Sequence, residues 1–194
     1  MFHELARTTK EGFKKNAIPG FFLQIVALTI VLLYYFVPAS HGVFDLAAGI
    51  KTQGGYFYSS LATAFFGGFV PFVYLSLSGR IAPKDRIGHG TFLVIFWAVQ
   101  GMVVDTLYTQ QARWFGSGAE FETIVKKVLV DQGPFNLLWA TPTTILLYGW
   151  KDSDFSLERF REKISARTLL YSYVSVQVNA WFLWIPCVAI IYSL

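Results

Sequence analysis

Charged residues are scarce in this chain, where they make up 14% of 194 residues, against about 25% in ordinary soluble domains. Cysteine is scarcer still, because Cys187 is the single one, so no disulfide can form within the chain. We expect Cys187 to be a buried packing residue, since it lies in an apolar run. These shortages exclude a disulfide-stapled scaffold and argue against a soluble fold.

The usual patterns of a catalytic or cofactor site are also missing from the sequence. Its three histidines, His3, His41 and His89, are far apart, and none has metal-ligand spacing with cysteine or with another histidine. No nucleophile motif and no glycine-rich phosphate loop occurs. The sequence therefore predicts no catalytic residue, no metal and no cofactor, and a membrane enzyme is the least favoured class of function.

Apolar runs of about 20 residues recur along the chain, and hydrophobic residues make up 54% of it. Each run can cross a hydrocarbon layer of roughly 30 Å as a helix. The fold class predicted is all-α, a polytopic transmembrane helical bundle that forms one membrane domain over residues 1–194. We predict five spans, with four as the alternative, at about 20–37, 58–78, 91–112, 134–150 and 169–191. Residues 2–16 read as an amphipathic surface helix.

The segments between the spans contain turn and capping signals. Gly49, Gly54 and Gly55 predict a loop between the first two spans. Pro134 suits the first turn of the fourth span, where its missing N–H has no helical partner to lose. In the charged segment 151–167, either Asp154 or Ser156 can cap a short helix.

Lysine and arginine are distributed unevenly between the two predicted faces. In a five-span chain, one side of the membrane carries the segments 1–19, 79–90 and 151–167. These segments hold 12 of the 16 lysine and arginine residues. The positive-inside rule then places the N-terminus in the cytosol or the matrix. Because the cations border apolar runs, they indicate contact with lipid headgroups, and we expect no nucleic-acid partner.

Asp105 is the most unusual polar residue, because it lies well inside the third predicted span, after Gln100. An ionised carboxylate at the centre of a membrane costs about 2.5–3.5 kcal/mol, so it must be neutral, paired or hydrated. Asp105 either lines a pore or accepts protons there, or it is hydrogen-bonded to a Tyr, Gln or Asn of a neighbouring helix. We favour the interhelical hydrogen bond.

A second polar group lies at the start of the fourth span and comprises Lys126, Lys127, Asp131 and Gln132. A lysine four or five residues before an acid can pair with it on a helix. Asp131 also precedes the positive end of the following helix, where a negative charge is favourable. Structural anchoring and a charged pore mouth both remain open for this group.

Two further patterns predict contacts between helices. Ser60, Ala64 and Gly68 recur at every fourth position of the second span and give it a face of small residues, which permits close approach of another helix. Gln177 and Asn179 lie inside the fifth span, where we expect them to be interhelical hydrogen-bond partners.

The run Lys126-Lys127-Val-Leu-Val-Asp131-Gln132-Gly133 precedes a proline-containing apolar helix and a charged helix and loop. The last span then carries Gln177, Asn179, Trp181-Phe182 and Trp184-Ile185-Pro186. Over about residues 120–187 this order resembles the family of small peroxisomal and mitochondrial inner-membrane proteins named after the twenty-two-kilodalton peroxisomal membrane protein. The spacing from Gln132 to the proline is one residue longer than in that family. The resemblance implies an organellar membrane, the mitochondrial inner membrane or alternatively the peroxisomal one, and a small, poorly selective pore.

Two functions are consistent with these observations. We favour a non-catalytic accessory or structural subunit of a large mitochondrial inner-membrane complex, of the respiratory or ATP-synthase type, with its N-terminus in the matrix. Its partners would be membrane lipids and other membrane subunits. The alternative is the pore of the family that the sequence resembles.

Overall fold

The computed structural model of the chain describes residues 21, 24–26 and 28–193, and every regular element within them is helical. The helices are α1 (Gln24–Phe36), α2 (His41–Thr63), α3 (Val70–Leu77), α4 (Arg86–Phe115), α5 (Phe121–Val130), α6 (Thr141–Lys151), α7 (Leu157–Lys163) and α8 (Ala166–Ser193). Short 3₁₀ turns at Pro38–Ser40 and Pro83–Asp85 precede α2 and α4, and π-helical segments at Ala64–Phe69 and Asp131–Ala140 follow α2 and α5. The all-α prediction is confirmed for the described residues, whereas the predicted surface helix 2–16 lies outside them.

Three helical stretches among the described residues are long and apolar enough to cross a membrane: Pro38–Leu77, Pro83–Phe115 and Ala166–Ser193. They fit an integral membrane protein and include the second, third and fifth predicted spans. The first predicted span corresponds to the shorter helix α1, part of which lies outside the described residues. The fourth predicted span, 134–150, is helical but is not one of these three long stretches.

The predicted loop between the first two spans is wrong, because residues 41–63 are helical. Of the three glycines expected to break the chain, only Gly55 leaves helical geometry, with φ 49° and ψ −131°. Glycine adopts this positive φ readily because it has no Cβ. Gly49 and Gly54 stay within the helix, which bonds its own backbone groups in an apolar setting where a loop could not.

The chain divides into two compact units: the central unit, Pro38–Trp114, and the flanking unit, which combines Met1–Val37 with Phe115–Leu194. Within the central unit, α4 runs antiparallel to the arm formed by α2, the first π segment and α3. Ala64 and Gly68 are buried in this contact. A Cβ added to Gly68 would lie 2.7 Å from the Leu93 carbonyl oxygen, so the two backbones meet closely at this glycine.

In the flanking unit, α1, α5 and α6 all pack along α8. Gln24 Nε2 donates to the Phe182 carbonyl at 3.4 Å, and Tyr35 Oη donates to the Ser193 carbonyl at 2.6 Å. Both bonds join residues 158 apart along the chain, so α1 and α8 run in the same direction. The segment that includes the second π segment and α6 runs the opposite way along α8.

A short capped helix precedes α8 in the flanking unit. Of the two predicted caps for α7, Ser156 is the one used, because its hydroxyl accepts a hydrogen bond from the Arg159 backbone N–H at 3.3 Å. Asp154 has a positive φ of 53° and instead pairs with the Arg159 side chain. The charged segment therefore ends α6 and starts α7 with a well-defined turn.

Replacement of Gly68 by alanine should destabilise the protein by about 1–3 kcal/mol, the usual cost of overpacking a close contact. The Cβ would meet the α4 backbone, which cannot move aside as the end of a side chain can. Gly49→Ala is the matched control, because no heavy atom lies within 4 Å of a Cβ there and alanine favours a helix. Unfolding free energies in detergent compare the two; equal stability of both variants would contradict the buried position of Gly68.

Candidate functional site

An ion pair joins α2 and α4 inside the central unit. Lys51 Nζ lies 2.6 Å from Asp105 Oδ2, and Ser59 Oγ donates to the same oxygen at 3.0 Å. Lys51 Nζ also donates to the Gly55 carbonyl at 3.4 Å, next to the break in the helix. One ammonium group therefore pairs with the carboxylate of Asp105 and also donates a hydrogen bond to a carbonyl at the helix break.

The predicted partner of Asp105, a Tyr, Gln or Asn, is wrong; Lys51 and Ser59 take that place. An opposite charge stabilises an ionised carboxylate better than a neutral donor does in an apolar setting. The sequence interpretation missed Lys51 because it assigned residues 38–57 to a loop. Gln100 is buried, 8% exposed, five residues earlier in the same helix and outside this ion pair.

A connected series of buried side chains occupies the flanking unit, and we call it the polar chain: Tyr192, Asp131, Gln132, Asn136, Thr141 and Gln177. Asp131 accepts from Tyr192 Oη at 3.0 Å and from Gln132 Nε2 at 2.6 Å. Asn136 Nδ2 donates to Gln132 Oε1 at 2.9 Å. None of the six residues is more than 9% exposed, so the polar chain crosses the interior between the second π segment and α8.

Thr141 connects the polar chain to α8. Its hydroxyl oxygen lies 3.0 Å from Asn136 Oδ1 and 2.7 Å from Gln177 Oε1, but a hydroxyl has one proton and can donate to only one of them. Gln177 Nε2 is buried without a partner in this orientation. A half-turn of the Gln177 amide lets that nitrogen donate to Thr141 while Thr141 donates to Asn136.

Two backbone carbonyls of the second π segment also receive bonds from α8. Tyr173 Oη donates to the Leu137 carbonyl at 2.7 Å, and Trp181 Nε1 donates to the Gln132 carbonyl at 2.8 Å. In a π-helix Leu137 would accept from residue 142, but Pro142 has no N–H. The tyrosine hydroxyl supplies the missing donor.

The predicted pairing of a lysine with Asp131 is wrong. Lys126 pairs with Glu122 at 2.6 Å on the exposed face of α5, and its hydrogen bond and charge lower the pKa of Glu122. Lys127 is buried with its Nζ 5.5 Å from the centre of the Tyr192 ring, a cation–π contact.

Asp131 precedes the fourth predicted span, and its surroundings act on its ionisation in two directions. Burial raises the pKa of its carboxyl, whereas the hydrogen bonds from Tyr192 and Gln132 oppose that rise. Burial is the larger influence, because removal from water penalises the charged form more than these two donors favour it.

The structure assigns the amides of the fifth predicted span different roles. Gln177 bonds between helices through Thr141. Asn179 donates to the Ser175 carbonyl of its own helix at 2.7 Å, which differs from the interhelical role expected of it. Sequence interpretation also missed Asn136 and Thr141, although Asn136 follows Gln132 by four residues and Thr141 follows Asn136 by five, both helical intervals.

Within the described part of the chain, no group of three or more His, Cys, Asp or Glu side chains could hold a metal ion. The chain matches no protein-family model, no curated protein and no solved structure. The resemblance over residues 120–187 therefore stays a prediction. The geometry shows two polar clusters, a part-buried one around Asp105 and a buried one around Asp131, whose members are bonded mainly to one another.

Asp105→Asn should destabilise the protein by about 1 kcal/mol, because it leaves the partly exposed Lys51 ammonium without its counter-charge. The double variant Lys51→Met/Asp105→Asn should recover most of that loss, since it removes both charges together. A double-mutant cycle on unfolding free energies in detergent measures the coupling.

Asp45→Asn is the control for this cycle, because Asp45 is an exposed carboxylate of the same helix as Lys51. We expect it to change stability by less than about 0.5 kcal/mol. Strictly additive effects of the two substitutions at Lys51 and Asp105 would contradict the ion pair.

Proposed function

We propose that this protein is a non-catalytic accessory subunit that serves a structural role in a large assembly of the mitochondrial inner membrane, of the respiratory or ATP-synthase type. The observation that carries the proposal is the state of its interior polar groups. Asp105, Asp131, Gln132 and Gln177 are bonded to neighbouring side chains. A pore needs such groups to face a continuous water-filled cavity, whereas a scaffold needs them joined to one another.

The apolar outer surface of the helices supports a role among other membrane components. In the most apolar windows of the three long helices, 11%, 28% and 22% of the residues are buried inside the chain. Phe66, Leu77 and Leu138 are among the large side chains that remain at least 72% exposed. Such extensive apolar surface has to meet lipid or other protein.

Helix direction supports the five-span arrangement. The first and fifth spans of such a chain run in the same direction, and the fourth runs the opposite way. Within the flanking unit, α1 is parallel to α8 through the bonds of Gln24 and Tyr35, whereas Asp131 and Thr141 contact α8 in antiparallel order. The cation distribution favours an N-terminus on the matrix side. The family resemblance favours the mitochondrial inner membrane, with the peroxisomal membrane as the alternative.

Labelling of single cysteines tests whether the segment 134–150 crosses the membrane. In a Cys187→Ser background, cysteines introduced at Lys84 and Glu158 should react with an impermeant maleimide from the same side, and one at Ser117 from the other. All three positions are exposed. If only the three long helices crossed, Glu158 would instead share the side of Ser117, and that result would refute five spans.

The subunit proposal is tested by extracting membranes that contain the native protein in mild detergent and separating complexes on a native gel. We expect the chain, 21.9 kDa by itself, to migrate in a much larger complex that holds other membrane proteins in fixed proportion. Migration as a single-chain particle would contradict the proposal.

The alternative function, a pore, is tested by measuring the conductance of planar bilayers that contain the purified protein. A scaffold should give no conductance. A pore would give a current whose ion selectivity changes in Asp105→Asn, and such a current would favour the poorly selective pore over the subunit.

A further inference from the structure

An open groove of about 440 Å³ lies on the surface of the central unit. Its walls are largely apolar and include Phe69, Phe72, Val94 and Ile95, whereas Arg86 and Thr91 are its polar members. The volume falls within the range of roughly 300–1,000 Å³ that is usual for small-ligand sites.

Gly90 contributes to the shape of the groove. This residue is buried, and a Cβ added there would lie 2.9 Å from the tip of the Phe72 ring. Because glycine has no side chain, Phe72 can lie directly against α4. A larger residue would push the ring into the space of the groove.

One cation, Arg86, lies in the lining of the groove. Arg86 begins α4, and its Nη2 donates to the Ser76 carbonyl at 3.1 Å, which fixes the guanidinium beside the end of α3. Arg80 and Lys84 belong to the same turn, which contains Asp85 as its single acid. Among the described residues, none of these three cations is in an ion pair.

We propose that this groove binds a membrane phospholipid with an anionic headgroup, one acyl chain lying along the apolar walls and the phosphate bonded to Arg86. The turn that carries the cations joins two helices able to cross a membrane, so its charge lies at the depth of the headgroups. A guanidinium has five N–H donors, so Arg86 can bind a phosphate while it keeps the Ser76 contact. The apolar walls offer little hydrogen bonding to a peptide backbone.

Native mass spectrometry of the full-length protein tests this site. The detergent-purified chain is incubated with equal amounts of phosphatidylglycerol and phosphatidylcholine of identical acyl chains. We expect one phosphatidylglycerol to be retained in preference to phosphatidylcholine. Arg86→Gln should lower that retention about tenfold, the effect expected from loss of one charge-assisted hydrogen bond.

Two further variants separate the groove from general surface charge. Thr91→Trp places a large side chain in the groove, keeps every cation, and should also abolish preferential retention. Arg161→Gln is the matched control, because it removes an exposed cation of α7 that lies in the flanking unit. It should retain phosphatidylglycerol as the parent does.

Equal retention of the two lipids by the parent protein would overturn the proposal. So would undiminished retention by folded Thr91→Trp, or a loss in Arg161→Gln as large as that in Arg86→Gln. If Arg86→Gln does not fold, the lipid preference of the parent and the Thr91→Trp result still decide. Neither depends on whether the protein is a subunit of a larger complex.

Discussion

The need to satisfy polar groups inside an apolar layer governs the details of this structure. Lipid offers no hydrogen bonds, so a carbonyl freed by a glycine or a proline must find a donor within the protein. Lys51 supplies one at the Gly55 break, and Tyr173 supplies one where Pro142 has no N–H. In both places an irregular turn of helix is matched by a long polar side chain that reaches it.

The same requirement accounts for the bonds that the interior polar residues make with one another. Individual hydrogen bonds between membrane helices contribute only about 0.6 kcal/mol on average. The polar chain therefore adds modest stability, but each member left unpaired would be costly, which favours the helix arrangement that bonds them together. A protein held in one arrangement, with an apolar exterior, fits the structural role that we propose.

Much of this fold could be predicted from sequence, because hydropathy and length alone define the long helices. The small residues Ala64 and Gly68 also pointed correctly to a close helix contact. The partners of the acids could not be predicted, because they depend on which residues of different helices face each other. Lys51 illustrates this limit, because it is the single charged residue between Asp45 and Arg80. Its pairing with Asp105 depends on a helix in a segment where three glycines had predicted a loop.

The polar chain has a further property that follows from the charge at one end of it. An ionised Asp131 can only accept, so Gln132 must turn its amide nitrogen toward it and its oxygen toward Asn136. The same orientation passes through Asn136 to Thr141 and on to Gln177 in α8. With the Gln177 amide turned so that its nitrogen donates to Thr141, the series has one direction, and every donor points toward the carboxylate. Protonation of Asp131 would remove the negative charge that fixes the direction of these hydrogen bonds. The amides would then be free to turn, and the bonding of Gln177 would change without any displacement of a helix.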